Sequence, residues 1–108
     1  MRTPRPRIIL FIAIATLAAG AAHAQDIPAG KTIAKVWCSN CHSVDPQEKT
    51  TVRDGVPTFL SIAQMPSTTE MSLAAFLTTP HGGMPNLTLS RKEIRDVSSY
   101  ILSLRAKP

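Results

Sequence analysis

Cysteine is scarce in this chain: its 108 residues include two, Cys38 and Cys41, both in one short stretch. No second pair is left to staple a small fold, so at most these two could bond to each other. A C-x-x-C pair also fits a thioredoxin-like redox site, but that reading wants a βαβ setting. No strand pattern is present, nor any repeat or low-complexity tract. Histidine is scarce too. Zinc would need further ligands beyond Cys38, Cys41 and the adjacent His42; His23 lies in the leader described below, and only His81 remains. Long apolar runs are missing except for Ile8 to Ala22, which falls short of the ~20 residues of a membrane-spanning helix.

That run has Arg2, Arg5 and Arg7 before it and the small-x-small site Ala22-His23-Ala24 at its end. These are the three parts of a secretory signal peptide. Residues 1–24 are therefore expected to be removed, leaving a single domain, 25–108, that begins at Gln25, is exported and keeps no membrane span. Removal also changes the charge. The whole chain is +5, with twelve basic and seven acidic residues. Three of the basic residues lie in the leader, so the rest of the chain carries nine against seven. The sequence pI of about 9.8 is mostly a property of the leader. It does not support nucleic-acid binding, which calls for a basic face or stripe.

What is present is Cys38-Ser39-Asn40-Cys41-His42. C-x-x-C-H in an exported chain reads as covalent attachment of a c-type haem. On a helical turn Cys38, Cys41 and His42 stand at i, i+3 and i+4 and share a face. Two thiols there can add to the two vinyl groups on one haem edge, and the imidazole of His42 sits under the iron. A haem would also supply the apolar core that so short a domain has difficulty building. Its two propionates would bring the holoprotein close to neutral.

Helical periodicity accounts for the rest. Asp26 is a plausible N-cap with Pro28 in the first turn, and Gly30, Ile33, Ala34 and Trp37 form one stripe expected to be buried. Gly30 weakens a helix, and close approach of another helix would compensate. Lys31 and Lys35 share a different, solvated face. Residues 43 to 57 read as loop. Thr58 to Gln64 reads as a short helix stopped before Pro66. Ser67 with Glu70 is expected to be a capping box opening a helix that buries Leu73, Phe76 and Leu77 and ends near Thr79. Pro80-His81-Gly82-Gly83-Met84-Pro85 is a shaped loop. Ser90 with Glu93 opens the last helix, from Arg91 to about Arg105, with Ile94, Val97, Ile101 and Leu104 as its seam and Tyr100 beside it.

Taken together, Gly30 eight residues before Cys38, the C-x-x-C-H motif, and Met84-Pro85 followed by Leu89-Ser90, Glu93, Asp96 and Tyr100-Ile101 resemble the small monohaem class I cytochromes c of bacteria. The resemblance spans essentially all of 25–108. It implies an all-α cytochrome c fold, with three to four short helices and long loops wrapped round one haem. It also implies that the first and last helices cross beside the haem, with Gly30 near Tyr100. The sequence departs from many relatives in carrying Ala34 where they have an aromatic.

Met65, Met71, Met84 and His81 are the candidates for the second axial ligand of the iron. Met71 falls on the first turn of a helix, where a methionine usually fills core gaps. Met84 has the Gly-rich loop before it and Pro85 after it, as in the family. The resemblance also makes the carbonyl of Pro57 the acceptor for the ring N–H of His42. Trp37 packs on the porphyrin, bonds a propionate, or is simply core.

His/Met ligation fills both axial positions, which suits a periplasmic one-electron carrier rather than an enzyme. Its partners would be a donor dehydrogenase and an acceptor oxidase or reductase, met by a monomer. Lys31, Lys35, Arg91, Lys92 and Arg95 are candidates for a salt-sensitive docking surface. Two alternatives use the same motif: a haem subunit of a periplasmic dehydrogenase complex, and a sensor or peroxidase in which Met84 detaches. The mass of the intact protein is expected to equal residues 25–108 plus one haem, with no thiol left to alkylate. A mass lacking the haem would remove the basis of this reading.

Overall fold

The computed structural model describes residues 25–49, 53–79 and 83–105, so the leader and residues 80–82, His81 among them, lie outside it. The described residues form four helices and no strand: α1 Ile27–Trp37, α2 Phe59–Gln64, α3 Glu70–Thr78 and α4 Arg91–Ser103. The chain is all-α, as its periodicity implies.

The first and last helices make the frame. α1 begins at Asp26, whose side chain accepts from the N–H of Ala29 at 2.9 Å. α4 begins at a reciprocal capping box, with the Ser90 N–H donating to Glu93 and the Glu93 N–H donating to the Ser90 hydroxyl. The two helices cross at Gly30. A β-carbon built there would lie 2.0 Å from the carbonyl oxygen of Asp96 and 2.9 Å from the β-carbon of Tyr100. Only glycine permits that approach.

Asp96 fixes the crossing from α4. Its carboxylate is buried and accepts from the Asp26 N–H at 3.1 Å and from the Lys92 ammonium at 2.6 Å. Burial alone would raise its pKa. The hydrogen bonds from Lys92 and Asp26, with the charges of Lys92 and Arg95, outweigh it and hold the carboxyl below its ordinary value.

Three local expectations need correction. The box that opens α3 is Thr69 with Ser72, not Ser67 with Glu70. The turn after Pro66 runs on because Thr68 is buried, donating its N–H to the Met65 carbonyl and its hydroxyl to that of Ile62. Glu70 is then the first helical residue and its carboxylate accepts from the Gln25 amide. On α1 the buried stripe runs Gly30, Ala34, Cys38, and Trp37 falls beside it at 57% exposure. On α3 only Leu73 and Leu77 turn inward, whereas Phe76 is half exposed and Met71, at 82% exposure, is no gap-filler of the core.

The core gathers Ala34 and Cys38 with Val44, Phe59, Ala63, Leu73, Val97, Tyr100 and Ile101. α4 ends two residues before Arg105, whose guanidinium turns to donate to the carbonyls of Ala63 and Thr68 and so ties α4 to the α2–α3 connection.

Replacing Gly30 by alanine is expected to lower stability by about 3 kcal/mol, because backbone must move to admit the methyl. Gly55, at φ 79° with open space around its α-carbon, should lose only about 1 kcal/mol on the same change. Denaturant unfolding of the two variants separates close approach from backbone conformation.

The depressed pKa of Asp96 makes its contribution fully present above the ordinary carboxylate value of about 3.9 and lost as pH falls through the lower folded value. Asp96→Asn is therefore expected to be less stable at neutral pH, and to lose less than the unmutated protein on acidification below about pH 4. Equal pH profiles would refute this.

Candidate haem site

The attachment motif is an extra turn on the end of α1. The Cys38 N–H donates to the Ala34 carbonyl at 2.9 Å, the Cys41 N–H to that of Cys38 at 3.2 Å, and the His42 N–H to that of Cys38 at 2.9 Å. This helical bonding carries the two cysteines and the histidine round together. The Ser39 hydroxyl donates to the Lys35 carbonyl and closes the turn from outside. Both thiols are free; Cys38 is 7% exposed and Cys41 is half-buried. Burial pushes the Cys38 thiol up to about 11, so it stays a neutral thiol at neutral pH.

The His42 ring is held on one side. Its Nδ1 lies 2.6 Å from the Pro57 carbonyl oxygen. With the proton on Nδ1 donated to that carbonyl, Nε2 keeps its lone pair and is the nitrogen that can bind a metal. The Phe59 ring lies against the imidazole at a centroid separation of 5.5 Å and a tilt of 55°. Phe59 is placed by the Thr58 cap of α2 and by its own N–H, which donates to the Ser43 carbonyl at 2.9 Å. Behind it the Tyr100 ring stands 6.5 Å away, and the Tyr100 hydroxyl donates to the Val44 carbonyl at 2.7 Å. The helix crossing is thus linked to the imidazole through two aromatic rings.

The segment after the motif is pinned to α1 by two ion pairs, Lys31–Asp45 at 2.7 Å and Lys35–Glu48 at 2.5 Å. Asp45 is buried; the Lys31 ammonium and the Gln47 N–H hold its carboxyl below the usual range.

Met84 is half-buried, just after Gly83 at φ 81° and just before Pro85. Gly83 supplies the left-handed conformation that turns the chain into this bend. Met65 is about half exposed at the end of α2, and Met71 points outward. Phe59 as the ring beside His42 was not singled out by sequence reasoning. Its one signal is an aromatic two residues after the proline whose carbonyl meets the histidine.

The donor set fits a haem. Among the described residues no three His, Cys, Asp or Glu side chains form a group that could hold a bare metal ion. Cys38, Cys41 and His42 instead share one turn, two as thiols and one as an imidazole with an open nitrogen. That suits a group that spans them, tied through both sulfurs and ligated by the ring. Those three residues would hold it, with Met84 as a soft thioether donor.

The chain is 41% identical over 98 residues, covering 91% of its own length and 92% of the relative's, to Cytochrome c-552 of Bradyrhizobium diazoefficiens. No family model and no solved structure matches it.

Proposed function

The chain belongs to the small monohaem class I cytochromes c, and from that premise we propose that it is a periplasmic one-electron carrier with its haem bound through Cys38 and Cys41 and its iron held between His42 and Met84. It is an electron-transfer protein carrying haem c. The finer reading concerns where it works and which residues hold the iron. The observation that carries it is the 2.6 Å contact of His42 Nδ1 with the Pro57 carbonyl, which leaves Nε2 for the metal and fixes the plane of the ring.

Bound in this way, the haem would supply a metal centre that gains and loses one electron. The chain does the rest. Cys38 and Cys41 anchor the group to the last turn of α1. Pro57 and Phe59 keep the imidazole from rotating. Met84 approaches on the bend between Gly83 and Pro85. The thioether is a weak donor that favours the reduced iron, so this ligand pair raises the potential above that of two imidazoles. In this reading residues 1–24 direct export and are cleaved after Ala24. No helix among the described residues is long and apolar enough to cross a membrane.

The optical spectrum of the oxidised holoprotein tests the ligand pair. A weak methionine-to-ferric charge-transfer band is expected, together with a low-spin spectrum. Met84→Ala should abolish the band and lower the reduction potential, leaving the haem attached. High-spin iron in the unmutated protein, or a band that survives in the variant, would overturn the assignment.

A further inference from the structure

We propose that the apolar patch of Ile33, Val36 and Trp37 at the end of α1 is the surface on which an electron-transfer partner with an uncharged, apolar contact face docks. This rests on the carrier reading above.

The first observation is exposure. Val36 is 62% and Trp37 57% exposed, with Ile33 half-buried against the core. On a helix Ile33 is three residues before Val36 and four before Trp37, so the three side chains adjoin. A tryptophan offers a large area at low conformational cost, which is why it is favoured at contact sites.

The second is position. Trp37 is bonded to Cys38, and through the helical turn at Cys38–His42 it stands one turn before Cys41. The patch therefore adjoins the turn whose cysteines would hold the haem.

The third is charge, and it decides the kind of partner. Of the basic residues that might have steered an acidic partner, Lys31, Lys35 and Lys92 are engaged with Asp45, Glu48 and Asp96 at 2.7, 2.5 and 2.6 Å. Lys31 and Lys35 belong to the same helix as the patch, so the charge beside it is locally compensated. With Lys31 and Lys35 compensated, the face offers little local positive charge to attract an acidic surface and no cost in meeting an uncharged one. The patch is small, so the encounter is short-lived, as redox encounters are.

The chain's own patch is such a face, so a second copy in the other oxidation state is the probe. One electron passes from the ferrous copy to the ferric copy; the first is oxidised, the second reduced, and no bond is made or broken. The self-exchange rate of the holoprotein is read from NMR line broadening in mixtures of the two forms, at low salt and at about 0.5 M salt. The expected result is a rate that changes less than about twofold with salt and falls by about tenfold or more in Trp37→Glu and in Val36→Glu, where like charges face each other.

Unchanged rates in both variants would overturn the proposal. So would a steep salt dependence in the unmutated protein, or a larger effect from Arg91→Ala and Arg95→Ala. Optical spectrum and reduction potential are measured on every variant. If Trp37→Glu alters them, Trp37 is a wall of the haem pocket and the docking assignment fails while the carrier reading stands. An unmutated holoprotein that does not cycle as low-spin iron would overturn the carrier reading, and the docking proposal with it.

Discussion

The contact on which the rest of this structure depends is the passage of α1 over the backbone of α4 at Gly30. The carbonyl of Asp96 occupies the place where any other residue would carry its β-carbon. The carboxylate of the same Asp96 reaches back to the N–H of Asp26 and fixes how far α1 can slide. Everything nearer the haem motif inherits its position from this crossing. Tyr100 is one turn along α4 from Asp96; its hydroxyl holds the Val44 carbonyl and its ring stands behind Phe59. Phe59 in turn faces the imidazole of His42. A substitution at residue 30 should therefore be felt at residue 42, although the two do not touch.

Polar pairs in this protein act mainly on position. Lys31–Asp45 and Lys35–Glu48 join α1 to the segment that follows the motif, and Lys92–Asp96 braces the crossing. Exposed pairs of this kind contribute little to stability. Asp45 and Asp96 differ because their carboxylates are buried, and an unpartnered buried carboxylate would be strongly unfavourable. Among the described residues one buried polar side chain has no such partner: the Ser98 hydroxyl, fully buried on α4, makes no hydrogen bond. Among the described residues the frame therefore tolerates an unsatisfied hydroxyl, whereas the buried carboxylates of Asp45 and Asp96 are both paired.

The residues legible in the sequence are those whose role follows from local geometry. Cys38, Cys41 and His42 declare themselves by spacing, and the Ser90–Glu93 box by its position before an apolar seam. Gly30 is legible for a related reason, since a glycine inside an amphipathic helix asks for a close neighbour. Trp37 falls outside the buried stripe because periodicity predicts a face and not its limits: the stripe Gly30–Ala34 continues at Cys38, one position round from Trp37. The Ser67–Glu70 box does not form because a tertiary contact, the burial of Thr68, delays the start of α3. Phe59 against His42 and Arg105 on the Ala63 and Thr68 carbonyls join segments distant in sequence, and no local pattern encodes them. Lys31, Lys35 and Lys92 are the clearest case of what composition conceals. Their charges look available until Asp45, Glu48 and Asp96 are seen beside them.

The same arrangement bears on how an electron is exchanged in the proposed role. Transfer is fast when the geometry around the metal barely differs between the two oxidation states, so ligands must be held by the protein rather than by the metal. His42 meets that condition from three directions: the turn that carries it, the Pro57 carbonyl on its Nδ1 and the Phe59 ring on its flank. None of these depends on the charge of the iron. Met84 is carried differently, on a bend between Gly83 and Pro85 rather than on a helix. The two proposed ligands thus come from different kinds of backbone, the histidine from a hydrogen-bonded turn and the methionine from a bend whose direction Gly83 sets.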